Sequence, residues 1–339
     1  MKNISFSVIG INHNHIYGQV DALLRAGAIF LSFAATEPEL GKSFARKYPQ
    51  AEQVESPQQI LEDRRTQLIV TAAIPSERAP LGMQVMEHGK DFMSDKPGFT
   101  TLEQLQNVRR VQAKTKRIYS IYFSERFACG SAIKAGKLVR SGVIGQVIQT
   151  IGLGPHRIGK WRPDWFFDRL QHGGILTDIG SHQADQFLYF TGSTKAEVVS
   201  SQVANYRNPQ YPGFEDFGDM MIRGDGGTGY VRVDWYTPDG LGTWGDGRLI
   251  ILGTDGYIEL RKYIDVLGRA GKDHLFLVDR HQAQYLDCSQ EEQTYGQQLV
   301  EDILNRTEKT MPQDHCFLAS KLALDAEASA KRLGYLSNE

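Results

Sequence analysis

The chain has 339 residues, 41% of them hydrophobic, with 38 Lys and Arg against 40 Asp and Glu. This length exceeds that at which one hydrophobic core stops growing, so we expect two domains, and the balanced charge predicts neither nucleic acid nor a membrane as partner. The three cysteines, Cys129, Cys288 and Cys316, are too far apart for a CxxC metal site or a disulfide framework, which favours the cytoplasm.

The first third of the sequence alternates strand and helix patterns. It starts in a strand pattern without a signal peptide, and no apolar run has membrane-spanning length. Strands are predicted at 4–10, 29–36, 66–74, 90–97 and 117–123, and helices at 15–25, 38–47, 77–88 and 102–114. Such alternation indicates βαβ crossovers and an α/β fold. We therefore predict a doubly wound parallel sheet of nucleotide-binding type over residues 1–123.

After residue 123 the pattern changes. A helix is predicted at 131–141, a strand-like stretch at 145–154, a helix through 181–190, and alternating segments at 197–206, 219–223, 229–236, 248–253 and 256–260. Consecutive alternating strands indicate a mostly antiparallel sheet that is open on one face. Residues 124–339 are thus predicted to form a second α/β domain for substrate binding and oligomerisation. Its last helices, near 293–306 and 314–333, are free to pack back on the first domain.

The turn after the first strand carries a dinucleotide-binding signal. Gly10 follows that strand, at the edge where a pyrophosphate lies on a parallel sheet. The usual GxGxxG pattern is altered, because Asn12 and His15 occupy the two later glycine positions. Asparagine tolerates a left-handed backbone, so a modified dinucleotide turn is predicted, with an ordinary surface turn as the alternative. The expected cofactor contacts are Gly10, Asn12, His13 and His15.

Glu37 follows the second predicted strand. A carboxylate there accepts hydrogen bonds from the adenosine ribose and repels a 2′-phosphate. We therefore expect NAD as cofactor, with NADP less favoured. The alternative is that Glu37 only begins the next helix, where the helix dipole favours a negative charge.

Several motifs occur in an order that resembles the Gfo/Idh/MocA oxidoreductases over essentially the whole chain. They are SDKPG at 94–98, VRSGVIGQV, and GGILTDIGSHQADQFLYFTG. The resemblance implies a Rossmann domain followed by an α/β domain whose open sheet forms the oligomer interface, hence a homodimer or homotetramer. The motif DKP implies a lysine beside the nicotinamide and a cis peptide before Pro97, and AIPS replaces the usual asparagine by Ser76. The further cofactor contacts implied are Pro75, Ser76, Asp95, Lys96 and Pro97.

Three residues form the predicted catalytic group: Lys96, Asp178 and His182. The resemblance matches the last two to a DxGxHxxD element that continues through Gly180 and Asp185. Alcohol oxidation requires removal of the hydroxyl proton, and imidazole is the natural base near neutral pH. Asp178 is expected to orient His182, and the Lys96 ammonium is expected to contact the reacting oxygen. The alternatives are that Asp178 is a helix cap, that His182 is a buried structural histidine, and that Lys96 is a surface lysine.

A polar and aromatic segment, GPHRIGKWRPDWFFDR, lies between these motifs. Flat apolar faces beside charged groups suit a polyhydroxylated ring, although tryptophan-rich segments also serve as packing. The expected substrate contacts are Arg126, His156, Arg157, Trp161, Arg162, Asp164, Trp165, Asp178 and His182.

Together these features predict an NAD-dependent oxidoreductase that acts on a secondary alcohol or ketone of a sugar, cyclitol or related polyol. Two alternatives stay open: a redox-neutral enzyme that uses NAD as the family's glycosidases do, and a catalytically silent NAD-binding regulator. A metal site at His13 and His15 is not expected, because no Cys or Glu ligand adjoins them.

Overall fold

The structure, a computed structural model, describes residues 3–159 and 162–334. The described residues form two compact units. One contains residues up to 122 together with 294–317, and the other contains 123–293 together with those after 317. None of the helices in the described ranges has the length and apolar character that a membrane crossing requires.

The first unit contains a six-stranded sheet. Its strands are β1 (Ser5–Ile9), β2 (Ile29–Ala34), β3 (Glu52–Gln53), β4 (Leu68–Thr71), β5 (Asp91–Asp95) and β6 (Tyr119–Tyr122). The intervening helices are α1 (His15–Arg25), α2 (Pro38–Lys47), α3 (Pro57–Glu62), α4 (Pro75–Glu87) and α5 (Leu102–Thr115). Every strand predicted from the alternating pattern is present, whereas β3 and α3 are additional. The helix α11 (Tyr295–Asn305) also belongs to this unit.

All strand pairs of this sheet are parallel, in the order β3-β2-β1-β4-β5-β6. This order confirms the doubly wound Rossmann arrangement. The strand order reverses between β1 and β4, and ligands of such folds bind beyond the carboxyl ends of the strands at that point.

The second unit contains a nine-stranded mixed sheet. Its strands are β7 (Val147–Pro155), β8 (Ala196–Ala204), β9 (Phe217–Gly224), β10 (Gly227–Asp234), β11 (Arg248–Gly253), β12 (Tyr257–Arg261), β13 (His274–Val278), β14 (Ala283–Asp287) and β15 (Lys331–Arg332). Its helices are α6 (Ser124–Phe127), α7 (Gly130–Arg140), α8 (Arg169–His172), α9 (Ile175–Asp178) and α10 (Gly180–Thr191), with a short 3-10 helix at Asp164–Phe166. The helix α12 (Gln313–Ser329) contributes to both units.

The strand order in this sheet is β14-β13-β12-β11-β7-β10-β9-β8-β15. Its pairs are antiparallel except β7 with β10 and β8 with β15, which confirms the prediction of a mostly antiparallel sheet. The helix α10 packs on one face, where glycines allow a close approach. A Cβ atom on Gly152 would lie 2.4 Å from the side-chain oxygen of Gln183 in α10.

The other face of the sheet is open and partly apolar. Met221 lies opposite Tyr230, and Leu252 lies opposite Tyr257. Directly paired residues point to the same side of a sheet, so these side chains share one face. Met221, Leu252 and Tyr257 are exposed. This is the face for which a homo-oligomer interface is expected.

The predicted elements of this unit need two corrections. The strands β13 and β14 were not predicted, because HLFLV is a continuous apolar run and AQYLD is short and polar at its ends. The final helix ends at Ser329 rather than 333, and Lys331 and Arg332 pair with β8 instead.

Candidate functional site

The turn after β1 is tied to the carboxyl ends of its two neighbouring strands, β2 and β4. Gly10 donates its backbone N–H to Ala34 of β2 (3.2 Å) and accepts from Ala72 beyond β4 (3.0 Å), and Ala72 also accepts from His13 (2.9 Å). Gly10 has φ of +80°, and a Cβ atom there would lie 2.5 Å from the Cβ of Ala73. Only glycine satisfies both constraints, so the turn keeps the close backbone approach that a dinucleotide requires.

Asn12 and Glu37 contact each other. The Asn12 amide Nδ2 donates to Glu37 Oε1 at 2.6 Å, and the Thr36 hydroxyl donates to Glu37 Oε2 at 2.7 Å. Glu37 itself is the extended residue that precedes α2. Both carboxylate oxygens are therefore held at the end of β2, although the carboxylate remains partly exposed.

His13, His15 and Asp95 meet at the same edge of the sheet. His15 Nδ1 lies 2.9 Å from Asp95 Oδ1, and His13 Nδ1 lies 3.6 Å from Asp95 Oδ2. Burial, assisted by the neighbouring His15, lowers the pKa of His13 well below its usual value. Burial alone would raise the pKa of Asp95, but the charges of His15 and Arg78 hold it far below the usual range. Asp95 is thus ionised and His13 neutral at pH 7.

The segment that carries Lys96 is fixed by Arg78. The Arg78 guanidinium donates to the carbonyl oxygens of Ala73 (2.7 Å), Lys96 (2.5 Å) and Pro97 (3.1 Å). The Lys96–Pro97 peptide bond is cis, as the resemblance implies. Lys96 is buried. A fully buried arginine therefore sets the course of the chain at the predicted nicotinamide lysine.

Pro75 and Ser76 begin α4 at the same edge. Pro75 is buried, and the Ser76 carbonyl oxygen accepts from Gln104 Nε2 at 3.0 Å. The Ser76 side chain is half-buried. Its place beside the carboxyl end of β4 agrees with a cofactor contact, which stays a prediction.

In the second unit, His182 lies in the first turn of α10 and is 2% exposed. Its ring packs edge-on against Phe123, with the ring centroids 5.9 Å apart. The side chains one and four residues further along the helix, Gln183 and Gln186, both donate to Glu125 Oε2, at 2.9 and 3.4 Å. Glu125 therefore packs against the part of α10 that carries His182.

Glu125 forms a buried ion pair that sequence analysis did not predict. Lys262 Nζ lies 2.5 Å from Glu125 Oε2, and the two residues are 0% and 2% exposed. Burial would raise the pKa of Glu125, but the charges of Lys262, His182 and His156 hold it well below its usual range. The sequence FSERF at 123–127 predicts a substrate contact only at Arg126, and no local pattern points to Lys262.

Asp178 ends α9 and contacts the buried His172. Its Oδ2 lies 3.2 Å from Nε2 of the buried His172. The Asp178 charge also acts on the half-buried Arg162, whose pKa is lowered by burial and partly restored by Asp178. Asp178 thus connects α8 to the segment before His182.

Two glutamates support that segment. Glu215 accepts from the Ile175 backbone N–H (3.0 Å) and Glu327 from that of Leu176 (3.1 Å), at the start of α9. Arg169 contacts both carboxylates, at 3.2 and 2.8 Å. Burial and the neighbouring Glu215 raise the pKa of Glu327 to about 8. These long-range contacts position the GGILTD motif, and no sequence pattern indicated them.

The other predicted substrate residues lie in different surroundings. Arg126 forms a buried bidentate pair with Asp185, with both N–O distances 2.7 Å. Arg157 donates to the carbonyl oxygens of Pro238 (2.7 Å) and Leu241 (2.6 Å). Both arginines therefore have structural partners.

His156 and Arg162 belong to an aromatic cluster. His156 lies 4.5 Å from Trp244 and 5.4 Å from Trp235 between ring centroids, and Arg162 stacks 4.3 Å above Phe166. In the 3-10 helix, Asp164 is exposed and Trp165 is half-buried. Trp161 lies outside the described residues. The structure thus brings His156 and Arg162 together with aromatic rings, the combination that is predicted to bind a polyol.

A glycine turn at the switch point of a doubly wound parallel sheet, together with a second unit that contains a mixed sheet, is the arrangement of a two-unit protein of Rossmann type. Two family models match: the NAD-binding Rossmann fold of the oxidoreductase family over residues 8–123 and the GFO/IDH/MocA C-terminal domain over residues 133–259. The chain belongs to the GFO/IDH/MocA oxidoreductase family.

Similar proteins agree with this assignment. A crystal structure from Erwinia carotovora atroseptica SCRI1043, of a protein provisionally designated an oxidoreductase, is 46% identical, covers 98% of this chain and 100% of its own, and has a TM-score of 0.95. A levoglucosan dehydrogenase bound to NADH and levoglucosan shares the fold, with a TM-score of 0.80 at 16% identity over 96% of this chain and 98% of its own.

Curated relatives are more distant. The D-glucoside 3-dehydrogenase of Escherichia coli K12 is 26% identical over 47% of this chain and 46% of its own length. The scyllo-inositol 2-dehydrogenase (NADP(+)) of Bacillus subtilis 168 is 25% identical over 49% and 46%, respectively. The match thus spans less than half the length of these two relatives, which are named as dehydrogenases of a D-glucoside and of scyllo-inositol.

Proposed function

We propose that the protein is an NAD-dependent oxidoreductase acting on a secondary alcohol, or the matching ketone, of a sugar, cyclitol or related polyol. The observation that carries this proposal is the turn at Gly10. Its positive φ and its contact with Ala73 leave no room for a side chain, as expected where a backbone must approach a pyrophosphate closely. The names of the curated relatives support the substrate class.

The chain's own residues have distinct roles in this proposal. NAD, when bound, supplies the hydride acceptor. Glu37 accepts hydrogen bonds from the adenosine ribose, and Lys96 contacts the reacting oxygen and offsets the negative charge that develops on it. His182 removes the hydroxyl proton, and Glu125 stabilises the imidazolium that results. Asp178 orients the His182 imidazole, and its contact with His172 holds the end of α9.

The cofactor assignment is tested by stability. After removal of co-purified nucleotide, NAD at 100 times its dissociation constant should add about 2.7 kcal/mol to the free energy of unfolding and raise the melting temperature. Differential scanning calorimetry measures this shift. A melting temperature unchanged by millimolar NAD and by millimolar NADP contradicts a dinucleotide site.

The reaction is tested separately, by NADH absorbance during incubation with NAD and a panel of polyols. Net NADH accumulation with a polyol supports the proposed dehydrogenase. Substrate conversion without net NADH identifies the redox-neutral alternative instead. NAD binding without conversion of any polyol favours the silent regulator.

Preference between NAD and NADP is predicted to depend on Glu37. In Glu37→Ser the charge that repels a 2′-phosphate is gone, so the ratio of NAD to NADP affinity should fall by about tenfold or more, equivalent to ~1.4 kcal/mol. Isothermal titration with both nucleotides measures the ratio. The control is Glu39→Ser, since Glu39 is an exposed carboxylate in the same helix, bound to Lys42. A wild-type preference for NADP, or an equal effect in the control, refutes the assignment.

Assembly and location are part of the proposal. The open face around Met221 and Leu252 supports a homodimer or homotetramer through the second unit. The three cysteines are buried free thiols, which agrees with a reducing cytoplasm.

A further inference from the structure

The residues His13, His15 and Asp95 form the only cluster of three metal-ligand side chains among the described residues, and their ligand atoms lie within 4.8 Å of one another. The histidines belong to the turn after β1, and Asp95 ends β5. From this geometry we propose that the cluster binds one divalent transition-metal ion of the zinc type. From the sequence, no metal is expected because no third ligand adjoins the two histidines. Asp95 is 80 residues from His15 along the chain, but the fold brings it to the histidines as a third ligand.

The spacing of the ligand atoms fits such an ion. At Zn–N and Zn–O distances of about 2.0–2.1 Å, the ligand atoms of a tetrahedral site are about 3.3 Å apart. The observed distances from Asp95 oxygens to His15 Nδ1 and His13 Nδ1 are 2.9 and 3.6 Å, on either side of this value. The two imidazole rings are 4.0 Å apart between centroids, so small side-chain rotations suffice.

A buried carboxylate oxygen faces the proposed position. Asp95 is 1% exposed, and its Oδ2 accepts no hydrogen bond, because the Arg78 Nη2 atom 3.3 Å away forms an ion-pair contact without hydrogen-bond geometry. The His13 atom that faces it, Nδ1, is an acceptor as well, because the His15 backbone N–H donates to it at 3.2 Å. Two acceptors that face each other at close range are stabilised by a cation between them. Metal binding to His13 Nδ1 would replace this long backbone hydrogen bond.

Positive neighbours limit the affinity and the choice of metal. Arg78 Nη2 lies 3.3 Å from Asp95 Oδ2 and is held by backbone carbonyls, and Lys96 is the next residue. Their charges oppose a dication, so ions that depend on oxygen ligands, such as Mg²⁺, should not bind. Zn²⁺, Co²⁺ and Ni²⁺ gain more from imidazole nitrogen. We expect a dissociation constant on the order of 1 µM rather than that of a structural zinc site.

The direct test is titration of the chelator-dialysed, nucleotide-free full chain with Zn²⁺ against a chromophoric chelator at pH 7.5. We expect one equivalent to bind, and His15→Gln and Asp95→Asn to weaken it by about tenfold or more. His88→Gln is the matched control, because His88 is an exposed histidine of the same unit, bound to the Gln84 carbonyl. Co²⁺ should give the intense visible bands of a four- or five-coordinate ion.

The proposal is overturned if Zn²⁺ shows no saturable binding below about 100 µM. It is also overturned if His15→Gln and His88→Gln reduce the affinity for Zn²⁺ equally. Circular dichroism melts check that each variant folds, and His15→Gln is the safer one because its side chain is 38% exposed.

One consequence rests on the proposed function. Because the same turn is assigned to the pyrophosphate of NAD, bound Zn²⁺ should raise the apparent dissociation constant of NAD, and His15→Gln should reduce this competition. Stoichiometric Zn²⁺ binding without any NAD binding refutes the proposed cofactor but supports the metal site. NAD binding without Zn²⁺ binding does the reverse.

Discussion

Replacement of His182 by alanine is expected to lower kcat by about 10² to 10⁴, the usual contribution of a positioned acid or base. The residue is buried in α10, and the Glu125 carboxylate, on which the charge of His182 acts, is held by Lys262 and two glutamines of α10. Affinity for NAD should change little, because His182 belongs to the second unit and the dinucleotide turn to the first. Steady-state rates on the active polyol and isothermal titration with NAD measure the two quantities.

Two further variants separate a catalytic from a structural role. His281→Ala removes an exposed loop histidine of the same unit and should leave kcat unchanged. Asp178→Asn should reduce kcat less than His182→Ala, since Asp178 is assigned only to orienting the imidazole and accepts no proton itself. If His182→Ala folds normally and retains wild-type turnover, His182 is not the base, and a silent or structural role for the TDIGSHQAD segment becomes the better interpretation.

Local patterns were sufficient to predict the Rossmann sheet. Each buried strand of the first unit is a short apolar run that ends at a turn, and each helix has its own apolar stripe. The parallel order then follows from the handedness of crossover connections. The same local logic located Gly10, Glu37 and the Lys96 segment, because each directly follows a strand and the carboxyl ends of parallel strands share one edge.

Contacts between distant residues could not be predicted in this way. Glu125 and Lys262 are 137 residues apart, and neither lies in a motif that requires the other. The same holds for Glu327, which caps a helix more than 150 residues earlier in the chain. Asp95 was predicted as part of a cofactor motif, but its pairing with two turn histidines depends on the order of strands in the sheet.

The buried Glu125–Lys262 pair leads to the largest stability effect we expect. Removal of two charges from water costs several kcal/mol per ion, and their attraction offsets this only while both are present. Lys262→Met leaves the Glu125 carboxylate buried with two glutamine donors and no compensating ammonium. The free energy of unfolding of the second unit should therefore fall by about 3–5 kcal/mol at pH 7.

Arg223→Met is the matched control, because Arg223 pairs with Glu197 across two strands of the same sheet, with side chains 66% and 63% exposed. Exposed pairs contribute at most about 1 kcal/mol, so urea denaturation should separate the two variants clearly. The double variant Glu125→Gln with Lys262→Met removes both charges and should recover much of the lost stability. If Lys262→Met loses no more stability than Arg223→Met, the Lys262 ammonium does not compensate a buried Glu125 charge, and the prediction is wrong.

The pH dependence of the Lys262→Met defect gives an independent check. Without the ammonium, burial dominates and raises the pKa of Glu125 above its value of about 4.3 in the unfolded chain. A carboxyl group with a raised pKa in the folded state is most favourable when protonated, so the folded protein gains stability as the pH falls toward the unfolded pKa. The difference in unfolding free energy between Lys262→Met and wild type should therefore shrink from pH 8 to pH 5, by about 1.4 kcal/mol for each pH unit over which only the folded state is protonated. A difference that stays constant with pH would mean that the variant loses packing rather than charge compensation.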